Sequence, residues 1–247
     1  MSTPKGRVRP ANDSDIPIIE AWLPTDVSGD TLAINWDLTK KVYARDGMLV
    51  WEDAITQEPV AYFWGSLNST DSILEVHPSR RGEGIGRAVV EYLLEKARTA
   101  RELLLEIEAA PASSEAFWTS MGFEFPQDQV GQRIGRQILR MPQQLPEGPH
   151  VQVKVSFFHE SVLYGKEQPH TPLAEYLLIG AHDGDGSIVL NETVACFSLG
   201  NGRDLVVWLE VDGRTIYFEK AKYSEGEKLG ITRCDNGFSI SEVALPN

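Results

Sequence analysis

The segment Arg81-Gly82-Glu83-Gly84-Ile85-Gly86 constrains the fold of this chain most, because it joins the apolar run Ser72 to Val76 to the amphipathic run Arg87 to Ala97. Glycines lack a Cβ, so three at alternate positions let successive backbone N–H groups turn toward one point. A helix starting there adds N–H groups without intrahelical acceptors and the positive end of its dipole. Ile73 to Lys96 therefore reads as strand, anion-cradling loop and helix, with Pro78 ending the strand and Ala88, Val89, Tyr92, Leu93 and Lys96 setting the helical rhythm. A glycine-rich turn without a ligand is the alternative on spacing alone. A Walker loop is excluded, since no Gly-Lys-Ser/Thr ending follows. A dinucleotide fold is disfavoured: the loop lies mid-domain, and Glu102 precedes the next strand instead of ending it.

Around this unit the hydrophobic period alternates. Gly6 to Arg9 predicts a strand, and Asn12, Asp13 or Asp15 caps a helix through Ile16, Ile18, Ile19, Trp22 and Leu23, ended by Pro24 and Gly29. A second helix is expected over Leu32 to Tyr43, then a strand pair, Met48 to Ala54 and Pro59 to Gly65. Leu103 to Ile107 predicts a strand, and Ser113 to Met121 a helix capped by Ser113 or Ser114 and stopped by Gly122. Phe123 to Phe125 and Gln137 to Met141 are the expected closing strands. Strands interleaved with helices predict a mixed, twisted α/β sheet flanked by helices.

Pro142 to Pro149 holds three prolines among polar residues and marks the expected boundary between a domain over 1–145 and one over 150–247. Beyond it, Val151 to Phe158, Ser187 to Leu190, Thr193 to Leu199, Leu205 to Val211, Thr215 to Phe218 and Phe238 to Val243 read as strands separated by Asp-Gly, Asn-Gly or Asn-Glu turns. Leu173 to Ile179 fits a helix or a strand. This second domain is expected to be β-rich, and it shows no catalytic constellation. Asp183, Asp185, Asp204, Glu210 and Asp212 lie mostly near glycine-bearing turns, where acids bond backbone groups. Trp208, Tyr217, Phe218 and Tyr223 fit a core, a dimer surface or a ligand groove, with core favoured.

A length of 247 residues suits two domains, and a hydrophobic fraction of 42% is enough for real cores. The formal charge of −13 argues against a nucleic-acid partner, since phosphates would meet mostly like charge. Arg80 and Arg81 form a local basic exception. No run of 18 apolar residues predicts a membrane span, and the N-terminus lacks the succession of an export signal, so a cytoplasmic location is the simplest expectation. Cys196 and Cys234 read as buried small side chains instead of a disulfide framework, and histidines 77, 150, 159, 170 and 182 show no short metal-ligand spacing.

Leu74-Glu75-Val76-His77-Pro78-Ser79-Arg80-Arg81-Gly82-Glu83-Gly84-Ile85-Gly86-Arg87 resembles the acetyl-CoA-binding motif of the GCN5-related N-acetyltransferase (GNAT) family. Ala116-Phe117-Trp118-Thr119-Ser120-Met121-Gly122-Phe123 resembles that family's later helix-to-strand motif. The two motifs occur in the family's order, and with the element order they extend the resemblance over about Gly6 to Met141. It implies that the strand at Leu74 and Val76 exposes backbone groups to a pantetheine arm. It also implies that the backbone at Arg81, Gly82, Gly84, Gly86 and Arg87 holds a pyrophosphate, with Trp118 packing beside the arm. Glu83 is expected to face solvent, since a carboxylate turned inward would repel phosphate.

Acyl transfer needs a neutral amine, so a group must take its proton. Glu75 is the first candidate if it faces the cleft; Glu106 and Glu108, on one strand face, are the others. His77 shares a face with Glu75 and reads first as a turn residue. Many members of the family have an acidic tyrosine hydroxyl where Trp118 stands and asparagine where Pro111 stands, so the common mechanism does not transfer whole. Tyr62 is another cleft donor on a coarse reading, and Tyr92 is expected in the core. Trp36, Trp51, Phe63 and Trp64 fit either a core or an acceptor pocket. The acidic balance favours a cationic acceptor. The leading expectation is acetyl-CoA-dependent N-acetyl transfer to a small amine, with a non-enzymatic acyl-CoA sensor or interaction protein as the alternative. Dimerisation stays open.

Overall fold

The computed structural model describes residues 4–23, 35–126, 133–165, 171–199 and 203–245. Pro24, Gly29, Leu32 and His170 lie outside them. The chain falls into two compact units, Met1–Ala100 with Glu106–Gln137, and Arg101–Leu105 with Ile138–Asn247. None of the described helices is long and apolar enough to cross a membrane.

In the first unit, β1 (Gly6–Pro10), β2 (Leu49–Asp53), β3 (Pro59–Trp64) and β4 (Ile73–Val76) form an antiparallel sheet in chain order. Pleating turns Tyr62, Trp64 and Ile73 to one face. There they pack with Ile19 and Trp22 of α1 (Asp15–Trp22) and Trp36 of α2 (Trp36–Asp46). The cap of α1 differs from expectation: Ser14 holds the N-cap position with no side-chain capping bond, and Asp15 instead accepts the Asn12 N–H at 2.8 Å and pairs with Arg9.

Helix α3 (Ile85–Thr99) lies against β3 and β4 and buries Ile85, Val89, Val90, Leu93, Leu94 and Ala97. The expected stripe was rotated. Tyr92 and Lys96 lie outside the buried set, with the ammonium 5.3 Å from the ring centroid, because one turn of 3.6 residues brings Val90, Leu94 and Ala97 inward instead.

Strand β5 (Leu104–Glu108) pairs with β6 (Ile134–Ile138), and α4 (Glu115–Ser120) lies between them in sequence. Two expectations fail here. Phe123 to Phe125 contributes only a single bridge, Glu124 to Arg136, and the closing strand starts at Ile134 instead of Gln137. Met141–Pro142 (β7) belongs to the second unit's sheet, opposite Thr193 and Glu192. Ser114 precedes α4, but its hydroxyl donates to the Pro111 carbonyl at 2.8 Å instead of accepting a helix N–H.

The second unit is an antiparallel sheet in the order β12-β11-β8-β9-β10-β14-β13, with β7 also on β10. Its strands are β8 (His150–His159), β9 (Ala174–His182), β10 (Ser187–Phe197), β11 (Leu205–Val211), β12 (Arg214–Lys220), β13 (Ile231–Cys234) and β14 (Gly237–Ala244). Alternate residues such as Phe157, Ile188, Leu190, Val207, Leu209 and Ile240 are fully buried in its core, each burial contributing about 1.5–3 kcal/mol. The Leu173 to Ile179 ambiguity resolves as strand β9.

The turn expected at Asn191-Glu192 is absent. Strand β10 runs through it with a register shift between Val189 and Val194, while Asn191 Oδ1 accepts the Ile179 N–H and Glu192 pairs with Arg140. The Asp212-Gly213 turn is tight, with φ of 47° and 73°, the double left-handed geometry suited to a twisted hairpin. Helix α5 (Ser224–Lys228) and β13 were not foreseen. Tyr217 joins the core, whereas Trp208 stacks with Phe158 and Phe218 on the opposite pleat face. Cys196 and Cys234 are not joined in a disulfide.

Candidate active site

Gly82 and Gly84 have φ of 83° and 88°, left-handed values that glycine adopts without steric cost. Gly84 is the N-cap of α3, so the helix begins at Ile85, inside the glycine motif and two residues before the expected start. Ala88 N–H donates to the Gly84 carbonyl at 3.0 Å. The N–H groups of Ile85, Gly86 and Arg87 precede that bond and have no acceptor within the helix. A Cβ on Gly86 would stand 3.5 Å from both Phe117 and the Val76 side chain. The bare Cα thus leaves space between the first turn of α3 and β4.

That space opens into a cavity of about 660 Å³. Strand β4 ends its sheet and β5 belongs to another, so the outer edge of β4 carries backbone groups not committed to a neighbouring strand. Leu74, Glu75, Val76, Arg81, Gly82, Gly84, Gly86, Arg87, Glu108 and Trp118 all line the cavity. Glu106 does not: Arg136 Nε holds its carboxylate at 2.8 Å. Phe63 also lines the wall, whereas Trp36 of α2 and Trp64 of β3 are core residues.

The orientation of Glu75, which alternation left open, is inward. Its side chain is 4% exposed. Tyr62, its partner across β3 and β4, donates its hydroxyl to Oε2 at 3.4 Å, and Arg81 Nη2 lies 3.4 Å from Oε1. Burial, and then the Glu75 charge, raise the Tyr62 pKa well above the usual phenol range, so the hydroxyl remains a donor.

His77 is a turn-former. Its Nδ1 accepts the Ser79 N–H at 3.2 Å at the start of the 3-10 turn Pro78–Arg80, and its ring lies 5.2 Å from that of Trp22. Burial lowers its pKa, helped by Arg80 and Arg81, which favours the neutral imidazole.

The expected local basic patch is largely neutralised. Arg80 bonds Asp53 at 2.8 Å and both oxygens of Glu83 at 2.9 Å. Glu83 thus folds back along the turn, away from the cradle. Arg87 Nη2 donates to Ser120 Oγ at 3.0 Å. Trp118 is buried in the cavity wall, edge-on to Phe117 and Phe123 at centroid distances of 5.1 and 5.3 Å. Its indole N–H can donate a hydrogen bond but is no practical acid. The sequence reading missed Asp53, because nothing local in Glu52-Asp53-Ala54 announces a partner 27 residues on.

Residues 44–125 match the family model described as acetyltransferase (GNAT) domain. This region is a GNAT acetyltransferase domain. Solved structures similar to the GNAT part include a GCN5-related N-acetyltransferase from Rhodopseudomonas palustris, at 16% identity and TM-score 0.43, covering 56% of this chain and 99% of its own. A ribosomal-protein-alanine N-acetyltransferase from Brucella melitensis aligns at 25% identity and TM-score 0.40, covering 54% and 99%. A phosphinothricin acetyltransferase from Sinorhizobium meliloti, solved with AcCoA, aligns at 16% identity and TM-score 0.42, covering 55% and 89%. A comparison with curated proteins found no match.

Proposed function

We propose that the GNAT domain binds acetyl-CoA and transfers its acetyl group to a small amine. The observation that carries this reading is one cavity that joins a glycine-shaped anion cradle to a buried carboxylate, Glu75. The residues fit the cofactor. Left-handed Gly82 and Gly84, with the N–H groups opening α3 that have no acceptor within the helix, suit a pyrophosphate, and the open edge of β4 suits the amides of a pantetheine arm. Bound acetyl-CoA supplies an activated thioester.

The chain's own part is to position and to move a proton. Glu75 takes the proton that an ammonium must lose before it attacks, with Tyr62 and Arg81 holding its two oxygens. Glu108, which also lines the cavity, is the second candidate base. Isothermal titration with acetyl-CoA tests the cradle, and chromatographic measurement of free coenzyme A across an amine panel tests the chemistry. Absence of binding at millimolar ligand defeats the reading.

Trp118 favours a second reading, an acyl-CoA sensor, because it offers no acidic hydroxyl beside the arm. Tight binding with no coenzyme A released for any amine supports that alternative.

A further inference from the structure

We infer that Arg81 is a positioning residue that keeps the buried carboxylate of Glu75 ionised, and so links the phosphate loop to the base in a single side chain. This rests on the reading of Glu75 as the proton acceptor.

A carboxylate whose side chain is 4% exposed loses most of its hydration, which on its own drives it toward the neutral acid. A neutral carboxyl cannot take a proton from an amine. A positive charge within about 4–6 Å reverses that tendency, and Arg81 Nη2 lies 3.4 Å from Oε1. The guanidinium is fixed in place by a second bond, from Nε to the Val76 carbonyl at 3.2 Å, so β4 itself sets the distance between charge and carboxylate.

Among the described residues, the other neighbours do not supply this charge. Tyr62 on β3 is a neutral donor to Oε2. His77, directly after β4, has its pKa lowered by burial and then by Arg80 and Arg81. Arg80 is engaged by Asp53 and Glu83. Glu108, which also lines the cavity, is itself an acid. Trp22 of α1 and Trp36 and Thr39 of α2, which pack on this side of the sheet, carry no charge.

The test needs no ligand. In protein labelled with 13C at the glutamate carboxyl, the Glu75 resonance is identified by its loss in Glu75→Gln and followed by NMR against pH in the full chain. Arg81→Gln, which keeps donors for Val76 but removes the charge, is expected to raise the Glu75 midpoint by about one pH unit or more. Arg81→Lys should raise it less, and Tyr62→Phe less than Arg81→Gln. An unchanged midpoint in Arg81→Gln overturns the inference; if that variant does not fold, Arg81→Met is read in its place.

With an accepted amine, the acid limb of kcat/KM should move up by the same amount as the NMR midpoint. A moved midpoint with a fixed limb shows that Arg81 governs a carboxylate the reaction does not use, which also overturns the positioning role. Failure to release coenzyme A in wild-type protein sinks the proposed activity instead, and the NMR titration still decides whether Arg81 sets the ionisation of Glu75.

Discussion

Arg80 reaches across 27 residues of sequence to place Nη2 2.8 Å from Oδ2 of Asp53, tying the turn after β4 to the end of β2. Asp53 Oδ1 also accepts the N–H groups of Ile55 and Thr56 at 2.9 and 3.0 Å. Arg80 first, and then those two N–H groups, hold the carboxyl at about 2 against an ordinary 3.8. A folded pKa below the unfolded one contributes stability that is complete above the unfolded value and is lost as pH falls through the folded value. Asp53→Asn should therefore lower the melting temperature at pH 7, and its gap to wild type should close as pH falls from about 4 to about 2. Thermal melts over that range check it; a gap independent of pH would show that Asp53 contributes without its charge.

Gly84 and Gly86 separate folding from binding. Gly84 is left-handed, so Gly84→Ala should cost about 1–2 kcal/mol of stability. Gly86 has an ordinary backbone, and its added Cβ would make 3.5 Å contacts with Phe117 and Val76. Gly86→Ala should melt close to wild type yet bind acetyl-CoA about tenfold more weakly or worse, because the methyl stands in the cavity wall. Calorimetric titration of both variants reads the difference, and wild-type affinity in Gly86→Ala would remove this surface from the binding site.

Much of the fold was legible because local pattern and tertiary demand agree. The pattern of apolar and aromatic runs bounded by turn residues placed β2, β3, β8 and β11, and β3 is buried at every position. It failed at Asn191-Glu192, whose turn-like composition is overridden by partners far away: the Ile179 N–H and the Arg140 guanidinium, 52 residues from Glu192. At the site, glycine spacing indicated the cradle, but the start of α3 required knowing that Gly84 takes the left-handed N-cap. For Glu75, alternation fixed which residues share its face. Which way that face points depends on Tyr62 and on the helices packed against it, information held in other parts of the chain.

The β-rich unit should depend strongly on Phe157. Its side chain is fully buried and meets Tyr176 edge-on at 6.4 Å. Phe157→Ala removes that contact and leaves a void among close-packed neighbours, at a cost of about 3–5 kcal/mol. Denaturant unfolding checks the magnitude, and a loss below about 1 kcal/mol would mean the surrounding strands collapse into the gap.

Trp118 offers the sharpest separation of enzyme from sensor. The ring is wedged edge-on between Phe117 and Phe123 and forms part of the cavity wall. Trp118→Tyr brings a hydroxyl into that wall, and Trp118→Phe brings none. If protonation of the departing thiolate limits turnover, the tyrosine variant should release coenzyme A about tenfold faster or more with an accepted amine, a modest share of what a placed acid can contribute. The phenylalanine variant should stay within about threefold of wild type if the indole is only wall. Both lose packing area, so melting temperature and acetyl-CoA affinity must be measured beside the rates. Abolished release in Trp118→Phe with affinity intact would instead make the indole N–H a working donor, and Trp118 would then be a catalytic residue in its own right.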